Sequence, residues 1–196
     1  IVIKHSVKIT GDNYARLVIE CRDKALAMTV GRKNANYVDK KDSDIITSLI
    51  SAYSGLSAEV TATTAQYKEL VQYYVTDWDY MMARAELNGY LVTIDAGKVT
   101  VKPPDASASP VLTLTYGHDL MEFHADLDAR WQLNSVTSTS WDLSTLQVVQ
   151  GTATPAALTG QGDLAAKKLA DVLGVSDFGL QTAAPLESGV LTTWSK

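Results

Sequence analysis

The hydrophobic residues of this chain change period at Asp42, and that change constrains the fold more than any other feature. Before it, "IVIKHSVKIT" alternates apolar and polar residues, and "YARLVIEC" follows the polar break "GDN" at Gly11 to Asn13. Period-two alternation puts successive side chains on opposite faces of a strand. The segment therefore predicts a β-hairpin whose two strands are half buried. From Asp42 onward, "DSDIITSLISAY" sets Ile45, Ile46, Leu49, Ile50 and Tyr53 on one stripe of a helix. Asp42 or Ser43 is the expected N-cap and Gly55 the expected stop. A helix with one apolar stripe must bury it against another element, so a chain with both periods is α+β.

The stretch "VQYYVTDWDYMMARAELNGY", Val71 to Tyr90, predicts a second helix from Trp78 to Asn88. Thr76 is the expected N-cap, with Asp79 three residues on in the position of a capping box. Asp77 and Asp79 also face the positive end of the helix dipole. As a catalytic pair they are badly placed, because residues i and i+2 point about 200° apart on a helix. Punctuation is the better reading of both. Gly89 supplies the left-handed C-terminal cap, and "YLVTIDAGKVTV" predicts a hairpin turning at Asp95 to Lys98.

Next, "KPPDASASP" from Lys102 to Pro110 cannot pair continuously in a sheet and reads as a connection. "VLTLTY", "LMEFHADL" and "WQLNSVTSTSW" carry strand signals, with a hairpin through "WDLSTLQVV". The last segment reads as helix, with Asp163 capping "LAAKKLADVLG" and a shorter helix from Leu186 or Glu187.

Composition excludes several classes of function. A net charge of −5 lacks the clustered basic face that nucleic acid requires. One cysteine and three histidines are too poor a ligand set for a structural zinc site, and Cys21 cannot form an internal disulfide. The longest uncharged window, Leu143 to Gly162, is rich in Thr, Gln, Ser and Gly and contains Pro155, so it is no membrane span. Ile1 is not an initiator methionine, and the chain reads as a piece of something longer.

Three further clusters bear on chemistry. "YGHDLMEFHADLDARW" gathers His118, Asp119, Glu122, His124, Asp126 and Asp128. On a strand, Glu122, His124, Asp126 and Asp128 would line a solvated face, with Met121, Phe123, Ala125 and Leu127 on a buried one. A hydrolytic metal site would need two or three of the former to converge around an open ligand position. "GQGDLAA", Gly160 to Ala166, matches G-x-G-x-x-A, but no strand runs into it, so it reads as loop and helix start. Cys21 reads as a small core residue, and His5 as an exposed strand position. No catalytic, cofactor-binding or metal residue is assigned, and no cofactor is expected.

"DKALAMTVGRKNANYVDKKDSDIITSLISAYSGLSAEV" and "LVQYYVTDWDYMMARAELNGYLVTIDAGKVTVKPP" resemble the VgrG and phage tail baseplate hub family, which includes Rhs element Vgr proteins and late control protein D. The residues that carry the likeness are Ser43 to Ile45, Val71 to Tyr73, Asp77 with Trp78, Arg84, and Gly89 with Tyr90. The resemblance implies β-barrel-like hub domains with a small inserted α/β subdomain of helix, strand, helix and hairpin. On this frame residues 1–38 are the end of a first barrel-like domain and 39–104 the α/β subdomain. Residues 105–157 are strands of a second barrel-like domain, and 158–196 a helical segment ending before the spike.

The function so implied is structural, not enzymatic: a hub of a contractile injection system, whether a phage tail or a type VI-like apparatus. It would join tail tube to spike. Implied partners are two further copies in a homotrimer, the tail tube protein, and spike, tip or effector proteins. Neither nucleic acid nor stable membrane insertion is implied, and assembly would begin in the cytoplasm. Two alternatives stay open: a metal-dependent hydrolase using His118 to Asp128, and a receptor-binding tail module for which Trp141 and Trp194 are candidate contacts.

Overall fold

The change of period at Asp42 marks the point where a sheet strand hands over directly to a helix. β3 (Lys33–Lys41) ends at that junction and α1 (Asp42–Ser51) begins there. The computed structural model describes residues 1–11, 14–105, 107–126, 128, 135–142, 145–154 and 177–181. It divides into two units, Ile1–Pro103 and Pro104–Lys196.

The first unit opens with β1 (Val2–Ile9) and β2 (Ala15–Cys21), an antiparallel hairpin as the alternation predicts. Its pairing puts His5, Val7 and Ile9 opposite Ile19, Leu17 and Ala15 on one face, and Lys4, Ser6 and Lys8 opposite Glu20, Val18 and Arg16 on the other. The two strands are nonetheless exposed rather than half buried, with Ile9 at 76% and Leu17 at 64%. Cys21, expected in the core, is exposed at the open end of this hairpin. Alternation makes a strand amphipathic, but an amphipathic strand is buried only if another element covers it.

A short 3₁₀ helix, Lys24–Thr29, follows, capped where Asp23 accepts a hydrogen bond from the Ala25 N–H at 2.9 Å. β3 then pairs antiparallel with β5 (Gln66–Val75). β3 passes through position 38, so residues on both sides of that position share one ladder. After α1 comes β4 (Ser57–Val60), parallel to β7 (Lys98–Lys102), which is antiparallel to β6 (Leu91–Asp95). The β6–β7 turn at Ala96 and Gly97 has positive φ at both residues, 49° and 86°, the geometry of a tight two-residue hairpin. A Cβ at Gly97 would stand 2.6 Å from the Gly55 carbonyl oxygen, so only glycine fits.

α2 (Asp77–Leu87) lies between β5 and β6 in sequence. Its start agrees with the capping pattern: the Asp79 N–H donates to Thr76 Oγ1 at 3.0 Å, and that hydroxyl donates to Asp79 Oδ2 at 2.7 Å. Gly89 takes φ +66° just beyond the helix, as a left-handed cap requires. The helical stripe on α1 is buried as predicted at Ile45, Ile46, Leu49 and Ile50, with Tyr53 packed beside it. These residues meet Met28, Met81, Ala85, Val99 and Val101 in one core. Each large side chain fully buried there contributes about 1.5–3 kcal/mol.

In the second unit β8 (Ser135–Asp142) and β9 (Gln147–Ala153) form the expected antiparallel hairpin. β10 (Asp177–Gln181) adds to β8 in parallel, a strand within the segment that sequence reading assigned to helix. The expected helices after Asp163 and from Leu186, and the Gly160 to Ala166 motif, lie outside the described residues, as does Trp194. The strands expected at "VLTLTY" and "LMEFHADL" do not form at the described residues 111–126, where the backbone makes one isolated bridge, Tyr116 to Leu120. The chain is α+β, mostly strand with few helices, and no sheet closes into a barrel among the described residues. No described helix is long and apolar enough to cross a membrane.

Candidate functional site

The first residue of each helix, Asp42 and Asp77, turns its carboxylate inward. Both are buried, at 0% and 2% exposure. A buried carboxylate is tolerable only with a cation and further donors, and each has them.

Asp77 Oδ2 accepts from Lys33 Nζ at 2.6 Å and from the Tyr53 hydroxyl at 2.7 Å, while Oδ1 accepts from Gln72 Nε2 at 2.8 Å. Lys33 also donates to the Tyr53 oxygen at 3.0 Å, and Tyr37 donates to Gln72 Oε1 at 3.0 Å. Asp77 thus joins β3, the end of α1, β5 and the start of α2. Burial alone would raise its pKa, but the bonds from Lys33, Gln72 and Tyr53 outweigh it and hold the carboxyl below the ordinary range. Lys33, bonded to Asp77 and Tyr53, is pushed up to about 12. The expectation that Asp77 merely punctuates the helix is therefore too small: Thr76 and Asp79 do the capping, and Asp77 ties four elements together.

Asp42 or Ser43 was expected to cap α1, and neither does: both lie inside the helix, whose N-cap is Lys41. Asp42 Oδ1 accepts from Arg84 Nε at 2.5 Å, and its Oδ2 from Asn88 Nδ2 at 2.8 Å and the Tyr67 hydroxyl at 3.2 Å. The Arg84 guanidinium lies 4.7 Å from the Tyr67 ring centre. Burial pulls the Arg84 pKa down, but Asp42 outweighs it and the net shift is upward. At this helix start Asp44 Oδ2 accepts from the Lys41 N–H at 3.3 Å, and Thr63 Oγ1, 20 residues away, accepts from the Ser43 N–H at 3.1 Å.

Chemically these two groups are closed. Asp77, held below the ordinary carboxylate range, cannot act as a general acid near neutrality, and Lys33, near 12, cannot act as a base or nucleophile there, while both Asp42 oxygens are occupied by Arg84, Asn88 and Tyr67. Both are structural ties.

The His118 to Asp128 cluster does not converge. His118 Nδ1 meets Asp119 Oδ1 at 2.7 Å, and His124 Nε2 meets Asp126 Oδ2 at 3.1 Å, two exposed pairs of near neighbours. No three potential ligands gather among the described residues. The expected buried face is not found at Met121 and Phe123, which are each 74% exposed, and no strand pairs with this segment among the described residues. His5 is exposed, as expected, and Trp141 on β8 is 47% exposed.

Sequence reading missed the Lys33, Tyr53 and Gln72 partners of Asp77 and the Arg84 partner of Asp42. They lie up to 44 residues from Asp77 and 42 from Asp42. No local signal marks them, since an aspartate is an ordinary residue at a helix start.

The protein family described as the Alg8 N-terminal domain matches residues 1–196. No curated protein matches. Among solved structures, the 43 kDa tail protein of prophage MuSo2 from Shewanella oneidensis aligns over 99% of this chain and 56% of its own, with TM-score 0.59 and 13% identity. A tail protein from Neisseria meningitidis MC58 aligns over 99% and 57%, with TM-score 0.62 and 13% identity. Prophage tail protein gp18 from Listeria monocytogenes EGD-e aligns over 98% and 57%, with TM-score 0.56 and 12% identity. The chain has the fold of these tail proteins and spans a little over half of their length.

Proposed function

The chain belongs to the Alg8 N-terminal domain family, and we propose that it works as a structural part of a phage-type tail. The observation that carries this reading is the fold match over nearly the whole chain to three separate tail proteins. The closed chemistry of Asp42 and Asp77 agrees with it, since both are used to lock helices to strands. Within the tail, the reading is that of a hub in a baseplate, assembled from three copies and joining tube to spike. The sequence signature from Ser43 to Tyr90 supports that assignment, and a VgrG-like role in a type VI apparatus is its closest variant. Spike, tip and effector contacts belong to the remaining length that such proteins have.

The test is the mass of the gene product that carries this chain, measured across micromolar concentrations. Three copies per particle is the expected result; a monomer throughout would remove the hub assignment.

A further inference from the structure

The β3–β5 ladder contains a bulge with an unusual cargo. Lys33 pairs with Val75 and Ala35 with Gln72, so Tyr73 and Tyr74 both stand opposite Asn34. A bulge re-aims side chains that regular alternation would send to opposite faces. Tyr74 has φ 47°, a left-handed conformation that an aromatic residue adopts only under constraint. The constraint is visible: the Tyr74 N–H donates to Asn34 Oδ1 at 2.8 Å, and the Arg32 guanidinium lies over the Tyr74 ring at 5.1 Å. Despite this fixing, Tyr73 is 81% and Tyr74 60% exposed. Arg32 makes no ion pair among the described residues, so its planar fork is held by the ring and open to a carboxylate. Tyrosine with arginine is the composition of a protein-binding hot spot.

The same chain displays the complement. Glu122 sits between Met121 and Phe123, both 74% exposed, in a segment with no strand partner among the described residues. A carboxylate flanked by a thioether and an aromatic ring offers an acid for Arg32 and two apolar groups for the tyrosines. We propose that Arg32, Tyr73 and Tyr74 of one copy dock Met121, Glu122 and Phe123 of a second copy. The contact uses two different surfaces, the kind that a ring of identical chains requires. This inference rests on the proposed assembly of several copies and names one of its contacts.

The experiment is sedimentation of the gene product carrying Arg32→Glu, Glu122→Arg, or both. Each single reversal should weaken association at least tenfold, and the double reversal should restore it to within about threefold of the parent. Tyr74→Gly separates folding from docking, because glycine accepts the positive φ: its melting temperature should not fall, while its association weakens. If the parent associates and the charge variants associate equally well, this contact is wrong and the assembly reading survives. If the reversals alter melting but not association, the pair acts within one chain, which also overturns the proposal. A parent that never associates overturns both.

Discussion

Two aspartates separated by one residue, Asp77 and Asp79, have different work, and substitution should show it. Asp77→Ala removes the partner of Lys33, the acceptor of the Tyr53 hydroxyl and one of the two acceptors of the buried Gln72 amide, which keeps the Val75 carbonyl, and should cost about 3 kcal/mol, on the scale of about 1–3 kcal/mol for each lost buried partner. Asp79→Ala removes one exposed cap partner and should cost less than about 1 kcal/mol. Urea denaturation of both variants checks the order. The pH dependence follows from the same group. The folded pKa of Asp77 lies below its unfolded value of about 3.9, so its contribution is present above that value and lost as pH falls through the folded pKa. Lys33 has the opposite sign: its contribution is full below about 10.4 and is lost as pH rises through about 12. Asp77→Asn should flatten the acid limb of the stability curve and weaken the alkaline one. An unchanged acid limb would mean that another carboxylate controls it.

At the scale of elements, Gly89 just beyond α2 and Gly97 in the β6–β7 turn give a clean contrast between two glycines of positive φ. Gly89→Ala meets open space and should cost about 1 kcal/mol of backbone strain, whereas Gly97→Ala also drives a Cβ into the Gly55 carbonyl and should cost clearly more. Met81→Ala in the core should cost about 2–5 kcal/mol, and Phe123→Ala under about 0.5 kcal/mol, as thermal melts can compare. Local order was well legible in the sequence. The stripe of Ile45, Ile46, Leu49 and Ile50, the Thr76 cap, the Gly89 cap and the hairpins all depend on neighbours a few residues away, where period and turn chemistry act. Burial was not legible, because alternation at Val7 or Phe123 states only that one face is apolar. Whether that face is covered depends on what packs against it. The two carboxylate ties were hidden for a similar reason: nothing local distinguishes an aspartate that caps a helix from one that is buried beside a lysine 44 residues away.

For the whole molecule, the α+β architecture and the tail-protein fold are shared with proteins that are 12–13% identical to it. At that distance most side chains differ, and what the chains share is the fold. On the proposed function, the exposed apolar face of the β1–β2 hairpin belongs to a part that is built into a larger object. Particle mass of the gene product that carries this chain tests that claim most directly. Three copies per particle, stable on dilution through the micromolar range, is the result that the account predicts; a species of one copy at every concentration would contradict it.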